Sequence, residues 1–78
     1  MTKNEIAAFL ASIQDRLIVR VYLRNRKMLL THFLEKNQKK EMVEQNKWII
    51  FVLSANENKL IHGDDIIQLK AGANPSHS

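Results

Sequence analysis

Apolar and polar residues change their spacing along the chain, and each change marks an element. In the first stretch Ile6, Leu10 and Ile13 recur at intervals of four and three with Phe9 beside them. That spacing gathers them on one side of a helix. Thr2 followed by Glu5 is a capping-box pair, and Ala7, Ala8 and Ala11 favour helix. The pattern predicts an amphipathic helix over 2–14 that covers an open end or face of a sheet. From Leu17 to Leu23 the period becomes two. Leu17, Val19, Val21 and Leu23 share one face, and Ile18, Arg20 and Tyr22 the other, which predicts a strand. Arg24-Asn25-Arg26-Lys27 is polar and reads as a hairpin turn. Met28 to Leu34 alternates again, with Met28, Leu30 and His32 on one side and Leu29, Thr31 and Phe33 on the other.

The densest apolar material comes later. Trp48 to Leu53 is an uncharged run of bulky residues, suited to a strand buried on both faces. Leu60 to Leu69 is a second strand, carrying Gly63 and two acids. The break between them contains Asn56, a residue that tolerates the left-handed region. This hairpin is the expected core. Glu35 to Glu41 holds no apolar residue, and Met42 and Val43 lack apolar partners at helical spacing. A helix polar nearly all round has little to hold it down. A strand–turn–strand turning at Asn37-Gln38 is therefore expected over 35–46, in preference to an exposed helix. Residues 1–70 form one domain. Small residues with Gly72 and Pro75 make 71–78 a disordered tail.

The fold class that follows is mainly β with an N-terminal α-helix: a small, strongly bent, five-stranded antiparallel barrel. At 78 residues a chain buries only about 60% of its unfolded surface, so a lone domain is marginally stable. Cysteine is absent, which removes disulfides and thiolate metal sites and leaves self-association as the compensation. A homo-oligomer is the expected partner state. The lack of cysteine also suits the cytoplasm. No signal-peptide pattern opens the sequence, and no apolar run nears the roughly 20 residues of a membrane span.

Twelve Lys and Arg against eight acids give a formal charge of +4, which draws a small domain toward polyanions. Three of the cations, Arg24, Arg26 and Lys27, share one turn. They are either a solvated turn or a set of phosphate contacts. Catalytic signatures are missing. His32, His62 and His77 are scattered, Asp64 and Asp65 point to opposite faces of a strand, and two glycines cannot build a phosphate loop. The chain reads as a binding domain, not an enzyme, with no cofactor and no metal.

A helix followed by about five strands, the last entered through Ile61-His62-Gly63-Asp64-Asp65-Ile66-Ile67-Gln68-Leu69, resembles the Sm-like family of small SH3-like barrels. His62-Gly63-Asp64 stands where that family has Arg-Gly-Asp, and Val19 to Lys27 matches the start of its first motif. Asn46 stands where the family has a base-contacting asparagine. His62 replaces the triplet's arginine, and Arg26 replaces the glycine usual at the first hairpin turn. The resemblance implies a bent barrel that forms a ring and binds single-stranded RNA, with Arg24, Arg26, Lys27, Asn46, His62, Gly63 and Asp64 as the contact residues. In that reading His62 stacks on or bonds a base while the cations neutralise phosphates. The alternative is an oligomeric protein-interaction or structural module with no nucleic-acid role. The arrangement that separates the two is whether Arg20, Arg24, Arg26 and Lys27 converge on one face with His62.

Overall fold

The computed structural model describes residues 1–34 and 39–72. Helix α1 spans Lys3–Ala11 and ends earlier than the apolar pattern suggests. Its start is fixed by the capping box: the Glu5 N–H donates to Thr2 Oγ1 at 3.2 Å, and the Thr2 N–H donates to Glu5 Oε1 at 2.9 Å. The Thr2 backbone N–H first, and the Thr2 side chain second, bond the Glu5 carboxyl and hold it below its ordinary range. The stabilisation is complete above the ordinary carboxylate pKa and is lost as pH falls through the lowered one. We therefore expect amide exchange in the first turn to accelerate below that point, and Glu5→Gln to flatten the effect.

Five strands follow: β1 Val19–Leu23, β2 Met28–Phe33, β3 Lys47–Val52, β4 Glu57–His62 and β5 Ile66–Ala71. They form one antiparallel sheet in the order β4-β3-β2-β1-β5. The order forces curvature. In a flat sheet β4 and β5 would lie about 19 Å apart, at about 4.8 Å per strand. The connection from His62 to Ile66 is a single 3₁₀ turn, Gly63–Asp65, which advances only about 2 Å per residue. The sheet must curl to bring its two edges to that turn. It does not close into a barrel, because no ladder joins β4 to β5. Beside the turn, the Asp64 and Asp65 carbonyls are instead taken by Arg24 from the end of β1.

The core lies inside the curl. Ile6 and Leu10 of α1 pack with Val19, Val21, Phe33, Trp48, Ile50, Val52, Ile61, Ile66 and Leu69. Helix α1 thus covers the sheet, the role its stripe predicts. Phe33 and Trp48 meet edge to face at 6.2 Å, a favoured aromatic geometry.

Three expectations change. First, β3 is not buried on both faces. Trp48, Ile50 and Val52 are buried, while Ile49 and Phe51 are half-buried, since the covered core lies on one side of the sheet. Second, the run from Leu60 to Leu69 is not one strand. It breaks at Gly63 into the end of β4, the turn and β5. Third, the described part of 35–46 forms no strand before β3 begins. Helix α2, Lys40–Glu44, takes its place. Val43 anchors it by packing against the core, a long-range partner that local spacing does not reveal. Asn46 ends it in the left-handed region at φ 59°, with its N–H donating to Val43 O at 2.9 Å, a common helix stop. The turn expected at Asn37-Gln38 lies outside the described residues. So does the tail from residue 73 onward, whereas Ala71 belongs to β5.

Candidate functional site

The curl creates a seam where the end of β1 faces the free edge of β4. An open cleft of about 360 Å³ lies there, lined by Leu23, Arg24, Asn25, Lys59, Leu60, Ile61, His62 and Asp65. Arg24 ties its walls together. The Arg24 N–H donates to Asp65 O at 3.0 Å, and Arg24 Nε donates to Asp64 O at 2.6 Å. With Nε engaged on a carbonyl, the guanidinium is held at the cleft. Lys59 shares its strand face with the buried Ile61 and is exposed, whereas Leu60 and His62 lie on the opposite face of β4. His62 is exposed at the end of β4.

The hairpin turn beside the cleft has a distinctive backbone. The Leu23 N–H donates to Lys27 O at 2.9 Å, and the Arg26 N–H donates to Leu23 O at 3.0 Å. Asn25 Oδ1 accepts from the Lys27 N–H at 3.0 Å. Arg26 occupies the left-handed position of this three-residue loop, at φ 67°, where glycine is the favoured residue. A side chain there is strained by about 1 kcal/mol. Arg26 and Lys27 are exposed.

The residues singled out in the sequence thus fall into three groups. Arg24 and His62 share the cleft, with the Asp64 carbonyl bonded to Arg24. Arg26 and Lys27 stand on the adjoining turn. Asn46 and Gly63 lie in a separate structural node. Asn46 Nδ2 donates to Met1 O at 2.9 Å, and its Oδ1 accepts from Trp48 Nε1 at 2.8 Å. The Gly63 N–H donates to Asn46 O at 2.7 Å. The amino group of Met1 donates to Gly63 O at 2.8 Å and to Ile66 O at 2.6 Å. Both ends of the Asn46 amide are therefore engaged within the fold.

Arg20 does not join the cations of the turn. It is only 8% exposed, and its guanidinium serves Gly72 O, Ala71 O and the Tyr22 hydroxyl. Lys59, Asn25 and Asp65 were not singled out from the sequence. The period-two spacing of Lys59 and Ile61 was the available signal for Lys59, since it places a cation on the core face of β4. Among the described residues no three His, Asp or Glu side chains gather as metal ligands. No helix among them is long and apolar enough to cross a membrane. Neither the family models, the curated proteins nor the solved structures compared with this chain give a match.

Proposed function

We propose that the chain is a small, non-enzymatic, Sm-like binding domain of the cytoplasm that holds single-stranded RNA weakly at the β4–β1 seam. The observation that carries this reading is the placement of Arg24, Lys59 and His62 around one cleft, continuous with the cationic turn that bears Arg26 and Lys27. Strain at Arg26 supports it, because a left-handed arginine on an exposed turn keeps a charge where glycine would be more stable. The resemblance in sequence adds the His62-Gly63-Asp64 triplet, which forms the junction between β4 and the turn.

Phosphate binding makes affinity salt-dependent, with a slope of about −0.7 in log K per neutralised phosphate on single strands. Anisotropy with labelled oligouridine between 50 and 200 mM salt measures that slope. Arg26→Gly separates the two roles of the residue. It is expected to raise stability by about 0.5–1 kcal/mol, to weaken RNA binding about threefold and to flatten the slope by about one phosphate. Unchanged binding in this variant, or no binding by the parent protein at 50 mM salt and tens of micromolar protein, overturns the reading.

A second reading, homo-oligomeric assembly through the sheet edges, has its own support. Among the described residues, strands β4 and β5 each have a neighbour on one side only, and Leu60 on β4 and Ile67 on β5 are 49% and 60% exposed. Open edges with apolar side chains invite pairing. Strand β3, which holds Trp48, offers no edge, because it lies between β2 and β4. Light scattering at tens of micromolar should therefore give a mass above one chain, and Leu60→Lys should lower it. A monomeric mass throughout would remove this reading.

A further inference from the structure

The seam cleft has the dimensions and charge of a pocket for one nucleotide rather than a track for a strand. Its volume of about 360 Å³ sits at the low end for small-molecule sites, roughly 300–1,000 Å³. It does not continue along β5, because β1 pairs with β5 from Leu23↔Ile66 onward. At that end the Arg24 bonds to Asp64 and Asp65 join the walls. A strand in transit needs an entrance and an exit, whereas a chain end needs only an entrance.

The lining is divided in the same sense. Arg24, Lys59 and His62 supply cationic or hydrogen-bonding groups, Leu23 and Leu60 supply apolar surface, and Asn25 and Asp65 can bond hydroxyl or base-edge groups. Two permanent cations and a histidine against one carboxylate favour a phosphomonoester. It carries about −1.5 to −2 at neutral pH, against −1 for a backbone diester. A planar arginine and a lysine suit such an oxyanion.

We propose that this cleft binds a nucleoside monophosphate, with the phosphate held by Arg24 and by Lys59 at the edge of β4 and the nucleoside along Leu23. The inference rests on the RNA reading only if the ligand is the phosphorylated end of a strand. The same chemistry is offered by a free mononucleotide.

The test uses the full chain and two sets of probes. Internally labelled oligouridines carry a 5′-phosphate, a 3′-phosphate or hydroxyls at both ends. Separately, 5′-UMP, 3′-UMP and uridine are titrated into ¹⁵N-labelled protein. For an RNA end, one phosphorylated strand binds about tenfold tighter than the hydroxyl strand, the gain of one charge-assisted contact. Lys59→Ala, at an exposed position, then brings the two within about twofold. For a free nucleotide, one UMP isomer shifts the amides of Asn25, Lys59 and His62 where uridine does not, and no strand binds. That result keeps the pocket and ends the RNA reading. Strands that bind equally, with no cleft shifts from either UMP, overturn the pocket and leave the RNA reading standing. Silence from every probe overturns both.

Discussion

Replacing Gly63 by alanine is expected to destabilise the domain by about 3–5 kcal/mol, the sum of two lost hydrogen bonds and one unsatisfied buried donor. The reason is proximity rather than backbone conformation, because Gly63 is not among the residues with positive φ. A Cβ at this position would run into the side-chain amide of Asn46. An ordinary surface asparagine would turn aside at little cost. This one is clamped, with Nδ2 on Met1 O and Oδ1 on Trp48 Nε1. Turning it breaks both bonds and leaves the indole N–H of Trp48, only 2% exposed, without its acceptor. Each lost neutral bond costs about 1 kcal/mol, and the stranded donor about 1–3 kcal/mol. A domain of this size loses about 4–8 °C in Tm per kcal/mol, so thermal melting should shift by more than about 10 °C.

The contact also predicts coupling. Asn46→Gly keeps the left-handed turn that ends α2 and removes the obstructing amide. By itself it should cost about 3–5 kcal/mol, through the lost bonds to Met1 and Trp48 and the indole donor left without its acceptor. In its background Gly63→Ala should cost less than about 1 kcal/mol, since the three atoms that most obstruct the added methyl, all of the Asn46 side chain, are then gone. The double variant should be at least about 1 kcal/mol more stable than the sum of the singles, the behaviour of residues in contact. Additive losses in denaturant titrations would show that the clash with Asn46 is not what excludes a side chain at Gly63.

This node marks the limit of what the chain reveals as a sequence. An unbroken apolar run marked β3 but not its one-sided burial, and local periodicity was enough for α1 and the β1–β2 hairpin. Their apolar positions recur at a fixed spacing, and the capping box is complete within four residues. A glycine inside an apolar run signals a bend or a close approach, and Gly63 provides both. What approaches it, Asn46, is seventeen positions away, and no local pattern announces the pairing. Helix α2 was hidden for the same reason, since Val43 draws its stability from a distant core. The cleft was half legible. Arg24 and His62 carried a motif and a charge cluster, but Lys59 becomes relevant only when the sheet curls and brings β4 toward the end of β1. Conversely, Arg20 looked like one more cation of the set until its burial placed it elsewhere.

Arg20 yields the second large effect, and it separates folding from binding. It lies on β1 directly opposite Lys70 of β5, a like-charge pair that is unfavourable across strands. Its burial is sustained by acceptors: Nε donates to Gly72 O at 3.0 Å, Nη2 to Ala71 O at 3.4 Å and Nη1 to the Tyr22 hydroxyl at 3.3 Å. The guanidinium thus fastens the end of β5 to β1, supplementing the Gly72 N–H bond to Ile18 O at 2.8 Å. Arg20→Ala removes these bonds and the packing of the aliphatic stem, at an expected cost of about 2–3 kcal/mol. Arg20→Met restores most of the packing and abolishes the like-charge pair, so its cost should stay near 1 kcal/mol, as when buried charges are replaced by apolar residues of similar size. Neither change touches the seam cleft. At temperatures where the variants remain folded, RNA affinity and its salt slope should stay within about twofold of the parent, whereas Arg24→Ala should lower affinity about fivefold and flatten the slope by about 0.7. The measurement is a matched set of melting curves and anisotropy titrations. Equal stability of Arg20→Ala and Arg20→Met would mean that packing of the aliphatic stem contributes nothing, and Arg20→Met as stable as the parent would mean that the carbonyl bonds give no net stabilisation. A loss of RNA affinity in folded Arg20→Met equal to that in Arg24→Ala would place the binding surface on the β1–β5 face instead of at the seam.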